Sequence, residues 1–304
     1  MNQNHENAAA ILLCAGKGTR MGQSDRSKVA YDCAGVPVIK RIIRNMREGG
    51  VARFVVVVGH MAESVMSALS GEPGVLYAYQ KEQKGTGHAA ACGLAVLDDI
   101  GFSGRVIISM GDKIVAPRLV RGLLTEQVTA KATIGVQPNP GNTSKGHVVV
   151  RDGRVLGILE AKDIRRARET GATLSLCGRF FTPDEVSATP YVNAALYAFD
   201  VEMLGDALKT LRPDNAQGEL YLTDVVEWFA LKVGVSFYQA EPKELLTYST
   251  KAELRAMSRT FLRKASEFAA TSAGGDAASR LLSAFMAKYG DRPCILHEGE
   301  CLNA

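Results

Sequence analysis

Through its first 250 residues the chain alternates short, wholly apolar runs with longer stretches whose apolar residues recur at helical spacing. Residues 8–15 (AAAILLCA) are apolar throughout, the pattern of a strand covered on both faces. Residues 37–47 (PVIKRIIRNMR) predict an amphipathic helix that Gly49-Gly50 stops. Residues 53–59 (RFVVVVG) predict a second buried strand and residues 61–69 a short helix. Residues 75–79 predict a strand, 87–97 a helix of small residues, and 105–110 a strand ending at Gly111-Asp112. The alternation predicts an α/β fold in three layers: a mixed, mostly parallel sheet of Rossmann-like type, with helices on both faces. Ligands of such sheets bind at the carboxyl ends of the strands. The glycine-rich loop after residue 15 and Asp112 are therefore expected to converge.

The pattern changes in the middle of the chain. Residues 132–137, 146–151 and 154–160 predict strands, with a hairpin turn at Asp152-Gly153. Residues 164–187 are polar and turn-rich and read as an excursion over the active face. A strand is expected at 192–199 and a helix at 220–233. After Ser249 the pattern is helical only, with Leu254, Met257, Phe261, Leu262 and Phe268 marking a helix over 251–269. A Gly/Ser/Ala linker at 271–276 leads to a second helix at 278–289. The expected division is a main domain over 1–250 and a helical C-terminal extension over 251–304.

Composition narrows the class. A chain of 304 residues, 46% hydrophobic and 22% charged, is an ordinary globular protein able to bury a large core. Its apolar runs are too short to cross a bilayer and its first ten residues show no leader pattern, so a cytoplasmic protein without a membrane partner is expected. The net charge of +4 suits an anionic small molecule and is too weak for a nucleic-acid coat. Cysteines at 14, 33, 92, 177, 294 and 301 form no regular framework, which fits a reducing compartment. Cys294, His297 and Cys301 are zinc-ligand types, but no fourth ligand lies near them.

Residues 13–22 (LCAGKGTRMG) carry the strongest chemical signal. A glycine-rich turn after a strand frees backbone N–H groups to cradle phosphate oxygens. The spacing fits neither the P-loop nor the dinucleotide fingerprint. Lys17, Arg20 and Lys28 place three cations in a short stretch, which matches a triphosphate better than a diphosphate bridge. Taken alone, the loop is equally an ordinary glycine turn with solvated charges.

The AGKGTRM segment, followed by Ser27-Lys28-Val29, resembles the signature of the sugar-1-phosphate nucleotidyltransferases, or sugar-nucleotide pyrophosphorylases. Three further segments resemble the same family in the same order: residues 80–89 (QKEQKGTGHA), Gly111-Asp112, and residues 215–224 (NAQGELYLTD). The match covers roughly residues 8–255 and is nearest to the bacterial N-acetylglucosamine-1-phosphate uridylyltransferases. The resemblance implies transfer of a uridylyl group from UTP to a sugar-1-phosphate, with Mg²⁺ as cofactor. It implies catalytic roles for Arg20, Lys28 and Asp112, and a nucleotide site of Leu13, Ala15, Gly16, Lys17, Gly18, Thr19, Gln80, Gly85 and Thr86. It implies a sugar site of Gly146, Glu160, Asn193 and Thr223, with Asp112 and Ser249 as metal ligands. Lys162 is expected one strand step beyond Glu160, on the same face. His88 opens the helix after the loop and is expected to cap or orient it.

Five positions depart from the family pattern. Lys113 follows Asp112 and is expected either to compete with the metal or to point away. Ser249 stands where relatives have Asn, Asn193-Ala194-Ala195 replaces Asn-Thr-Gly, and Met110 replaces a Tyr. No hexapeptide repeat follows residue 250, so the acetyltransferase half of the bacterial relatives is not expected. The tail is expected to pack on the main domain, to mediate homo-oligomerisation, or to lead to a further domain. Two alternatives stand beside the uridylyltransferase reading. One is a thymidylyl- or cytidylyltransferase of the same fold; the other is a regulatory nucleotide-binding protein with impaired catalysis, favoured by Lys113 and Ser249.

Overall fold

The computed structural model describes residues 8–271 apart from 23, 126–129 and 142, with side chains as far as residue 263. The chain runs through β1 (Ala8–Leu13), β2 (Asp32–Cys33), β3 (Val36–Pro37), α1 (Val38–Glu48), β4 (Arg53–Val58), α2 (Ala62–Ala68), β5 (Val75–Tyr79), α3 (Thr86–Asp99) and β6 (Arg105–Met110). It continues through β7 (Lys113–Val115), α4 (Pro117–Thr125), β8 (Ala132–Pro138), β9 (His147–Arg151), β10 (Arg154–Leu159), α5 (Ala161–Thr170), β11 (Leu174–Leu176), β12 (Arg179–Phe181) and α6 (Pro183–Ser187). Then follow β13 (Tyr191–Asp200), α7 (Val201–Lys209), α8 (Asp224–Lys232), β14 (Ser236–Gln239), β15 (Leu245–Thr247) and α9 (Lys251–Thr271).

Nine strands form one sheet in the order β10-β9-β13-β6-β1-β4-β5, with β8 beside β13 and β14 beside β8. β5, β4, β1 and β6 run parallel, whereas β13 is antiparallel to β6 and β8. Alternation along the parallel strands feeds two cores. Ala10, Leu12 and Cys14 of the first strand and its exit, with Phe54, Val56 and Val58 of β4, meet α1, α2 and α4. Ala9, Ile11 and Leu13, with Val55 and Val57, face the other way onto α3, α7 and α8. Each fully buried Ile, Leu or Val here contributes about 1.5–3 kcal/mol, so a polar residue at either phase would disrupt one layer. The three-layer, mostly parallel arrangement is the expected fold.

The expected convergence at the strand ends follows from register. β1 pairs with β6 so that Leu13 lies opposite Met110, and the Gly111 N–H donates to the Leu13 carbonyl at 3.0 Å. The loop after β1 and Asp112 after β6 therefore leave the sheet side by side. At the hairpin between β9 and β10, Asp152 and Gly153 both take positive φ (52° and 72°), as the predicted two-residue turn requires.

Three expectations are corrected. The segment 164–187 is no loop: α5, the β11–β12 hairpin and α6 close a small core of Val149, Ile164, Ala167, Leu174, Leu176, Phe181 and Val186. Its periodicity is divided among elements of three to ten residues, too short to register as one pattern. The last expected strand of the hairpin stops at Leu159; Glu160 caps α5, so Lys162 sits in a helical turn and not one strand step beyond Glu160. The helix expected from residue 220 starts at Asp224, because Leu220 and Leu222 give their backbone N–H groups to Lys84 and Thr86.

The start of the tail packs on the main core. Leu254 is fully buried, and Ser258 Oγ accepts from the Ala34 N–H at 3.2 Å. The Arg41 guanidinium lies 4.6 Å from the Phe261 ring centre. The second expected tail helix and the Cys294, His297, Cys301 group lie outside the described residues. Cys14, Cys33, Cys92 and Cys177 are free thiols. Among the described residues no helix is long and apolar enough to cross a membrane.

Candidate active site

A cavity of about 310 Å³ opens at the carboxyl ends of β1 and β6. Its wall contains Arg20, Thr86, Asp112, Gly146, Glu160, Asn193, Thr223 and Ser249, candidates drawn from well-separated parts of the chain. An adjoining cavity of about 220 Å³ is lined by Leu13, Ala15, Gly16, Gln80, Gly85 and Thr86. Thr86 and Met110 belong to both walls, so the expected nucleotide and sugar sites meet there. Lys17, Gly18, Thr19 and Lys28 line neither cavity; Lys17 and Thr19 are exposed on the loop. A larger cavity of about 950 Å³, between the β9–β10 turn and the end of α8, holds none of the candidates.

At the reaction end, Lys28 Nζ lies 2.6 Å from Asp112 Oδ2, with both side chains mostly covered. Tyr248 fixes this lysine twice: its hydroxyl donates to the Lys28 carbonyl at 2.8 Å, and its ring centre lies 4.8 Å from the ammonium. Burial and the nearby Asp112 charge hold the Tyr248 phenol well above its ordinary pKa, so it stays a neutral donor. Lys113 resolves one alternative left by the sequence. It does not point away but lines the cavity, where burial lowers its pKa to about 8 against the opposing pull of Asp112.

At the base end, the side-chain amide of buried Gln80 donates to the Gly85 carbonyl at 3.2 Å and lies 3.1 Å from His88 Nδ1. Neither bond uses Oε1. His88 thus orients the loop, as expected from its place at the start of α3. Gln83 anchors the same loop by donating to the Ala15 carbonyl at 2.8 Å.

At the sugar end, Gly146 and Glu160 are in close approach: a Cβ at 146 would stand 3.2 Å from Glu160 Oε1. Burial raises the pKa of Glu160; the nearby Thr223 hydroxyl opposes this, Asp163 adds to it and Lys162 opposes it. Thr223 Oγ1 is buried beside Glu160 and has no hydrogen bond of good geometry among the described residues. Asn193 donates to the Tyr197 hydroxyl at 2.7 Å and accepts from the Ala195 N–H at 2.7 Å. These bonds span an irregularity in β13 at which Ala195 takes a φ of 51°. A non-glycine residue there costs about 1–2 kcal/mol, and glycine's extra chain entropy offsets only part of it. Ala195→Gly is expected to stabilise the protein by about 0.5–1 kcal/mol, read as a higher urea midpoint at unchanged slope. A lower midpoint would mean that the irregularity is not strained.

Gln83, Lys145, Tyr197, Glu219 and Tyr248 also belong to the site, and none of them is singled out by sequence reasoning. The available signal was adjacency: Gln83 and Glu219 lie inside the quoted motifs, Tyr197 lies in the strand expected at 192–199 that carries Asn193, and Tyr248 and Lys145 precede Ser249 and Gly146.

Residues 10–176 match the model of the MobA-like NTP transferase domain. The bifunctional protein GlmU of Geobacter sulfurreducens is 36% identical over 272 residues, 86% of this chain and 52% of that protein. GlmU of Mycolicibacterium smegmatis is 36% identical over 229 residues, 72% of this chain and 43% of that protein. The chain thus spans about half the length of these curated relatives. Among solved structures, a UDP-glucose pyrophosphorylase in complex with UDP-glucose superposes with a TM-score of 0.65 at 16% identity, covering 84% of this chain and 99% of its own. A putative glucose-1-phosphate thymidylyltransferase from Bacillus anthracis gives 0.62 at 18% identity, covering 83% and 94%. These two support the fold, while the family match and the GlmU identities bear out the resemblance read from the four motifs. With over half its residues matched, the chain belongs to the MobA-like NTP transferases.

Proposed function

We propose that the chain transfers a uridylyl group from UTP to a sugar-1-phosphate, N-acetylglucosamine-1-phosphate or a related hexose-1-phosphate, giving a UDP-sugar and pyrophosphate. The observation that carries this reading is the meeting of the two cavities at Thr86 and Met110, each walled by candidates from distant segments. The GlmU relatives support the same class. In this reading residues 1–250 form the catalytic domain and 251–304 an extension.

An oxygen of the acceptor phosphate attacks the α-phosphorus of UTP. The bond from that phosphorus to the bridging oxygen breaks, and pyrophosphate leaves with the electron pair. The acceptor phosphate is already ionised at neutral pH, so no general base is needed. Positioning and charge neutralisation do the catalysis. Arg20 neutralises the β- and γ-phosphates and Lys28 the reacting phosphate, with Asp112 and Tyr248 aiming its ammonium. Gln80 Oε1 accepts the uracil N3–H while the amide nitrogen holds the loop. Thymine presents the same N–H, which makes dTTP the nearest competitor. Glu160, Asn193 and Thr223 take sugar hydroxyls beside the Gly146 backbone.

Asp112 and Ser249 offer one carboxylate and one hydroxyl to the same cavity, hard oxygens of the kind Mg²⁺ takes when substrate phosphates complete its shell. Bound by them, Mg²⁺ would supply charge neutralisation across the phosphates of both substrates. Among the described residues no group of three or more His, Cys, Asp or Glu could hold a metal by itself, which fits a site completed by substrate.

The test is pyrophosphate release from UTP, dTTP, CTP, ATP and GTP, each with Mg²⁺ and a panel of sugar-1-phosphates. Release with UTP and a hexose-1-phosphate is expected. Silence across the panel, with UTP still raising the melting temperature, would replace the transferase by a nucleotide-binding regulatory protein.

A further inference from the structure

The cavity that holds the candidate sugar site carries two lysines from outside the glycine-rich loop. Three cationic residues line it, Arg20, Lys113 and Lys145, against two carboxylates, Asp112 and Glu160. Asp112 is already paired with Lys28. Among the described residues neither Lys113 nor Lys145 has a carboxylate within ion-pair distance. Lys145 Nζ instead donates to the neutral Gln137 side chain. Both lysines are half-buried, where an ammonium group without a counter-ion is unfavourable.

Their positions divide the cavity. Lys113 follows Asp112 and sits on β7, opposite Thr247 of β15, at the reaction end. Lys145 precedes Gly146, whose carbonyl accepts from the Asn193 N–H at 2.8 Å and whose α-carbon abuts Glu160. Lys145 thus belongs to the wall that faces the sugar ring, not to the loop after β1 that supplies Lys17, Arg20 and Lys28. Both lysines nevertheless line the same cavity of about 310 Å³, so one ligand can reach both. An anion held between them would supply the missing counter-charge.

We propose that Lys113 and Lys145 form a subsite for a second oxyanion on the acceptor: a carboxylate or an additional phosphate carried by the sugar ring besides its 1-phosphate. This rests on the transferase reading above and, of the acceptors named there, selects a hexose-1-phosphate with an anionic substituent over N-acetylglucosamine-1-phosphate, whose ring carries none. Glu160, Asn193 and Thr223 still read hydroxyls on the same ring.

The test compares kcat/KM for glucuronic acid-1-phosphate and glucose-1,6-bisphosphate with that for glucose-1-phosphate, in the wild type, Lys145→Gln and Lys113→Gln. The wild type is expected to favour one charged acceptor by about tenfold or more, the size of one charge-assisted contact. Whichever charged acceptor wins identifies the substituent as carboxylate or phosphate. In each variant the ratio of charged to neutral acceptor is expected to fall about tenfold, at an unchanged melting temperature. Equal losses on all three acceptors would assign the lysines to the shared 1-phosphate and overturn the subsite while leaving the transferase intact. A wild-type preference for glucose-1-phosphate would do the same. Absence of pyrophosphate release with every acceptor and nucleotide would overturn the transferase reading and the subsite together. A variant that melts early is replaced by Lys→Met at the same position, which keeps the aliphatic stem and removes only the charge.

Discussion

Asp112→Asn is expected to lower the rate of pyrophosphate release by roughly 10²–10³-fold, about 3–4 kcal/mol of barrier, while the protein stays folded. The change preserves shape and removes one negative charge at the end of β6, where the backbone is pinned by the Gly111 N–H to the Leu13 carbonyl. Two functions are lost together. The carboxylate oxygen that holds Lys28 at 2.6 Å becomes a neutral amide, so the ammonium is aimed only by the Tyr248 ring. The charged oxygen that would hold Mg²⁺ is also gone, leaving the Ser249 hydroxyl as the protein's contribution. Because both effects act at the reacting phosphates, kcat should fall far more than KM for the nucleotide rises. Folding should tolerate the change: Asn keeps the shape of Asp, and Lys28 keeps its contact with Tyr248. Full turnover of Asp112→Asn at saturating Mg²⁺ would remove this residue from the mechanism.

What the sequence revealed depended on how many residues carried each signal. β1 is apolar over all six residues and β4 over its last five, and that redundancy at both phases marks a strand buried on both faces. The motifs at 13–22, 80–89 and 215–224 were legible because several residue types recur together in order. The ordered excursion at 164–187 was not legible, since α6 has five residues and β11 and β12 three each. No period repeats in so short a run, and only the fold brings Val149 and Val186 into one cluster. Tyr248 is the sharper case. Its hydroxyl meets a carbonyl 220 positions away, and one tyrosine near a chain turn carries no pattern. Lys145 is similar: its meaning comes from sharing a wall with Lys113 and Gly146, a fact of packing between β7 and the start of β9.

Gly85→Ala is expected to weaken both the fold and the nucleotide site, for reasons that separate it from Asp112→Asn. Gly85 has φ 108° and ψ 178°, a region that residues with a Cβ rarely enter, at about 1–3 kcal/mol. The added Cβ would stand 2.6 Å from the Leu220 carbonyl oxygen and 2.9 Å from the Leu220 nitrogen. Those neighbours are backbone and cannot swing aside. They are also held from both directions: the Leu220 N–H donates to the Lys84 carbonyl at 2.8 Å, and the Gly87 N–H donates to the Leu220 carbonyl at 2.8 Å. Asn215 braces the far side by accepting from the Gln217 and Glu219 N–H groups. The two recognised motifs are therefore zipped backbone to backbone, and a methyl group at 85 must part them. Strain and clash together come to about 3 kcal/mol, a fall in Tm of about 6–12 °C for a domain of this size. The functional loss should have the opposite kinetic signature from Asp112→Asn. The Gly85 carbonyl anchors Gln80, so its displacement loosens the base-reading amide and raises KM for the nucleotide more than it lowers kcat. A Gly85→Ala protein with the wild-type Tm and wild-type UTP affinity would show that the two segments do not meet at this point. The base pocket would then have to be built from other residues.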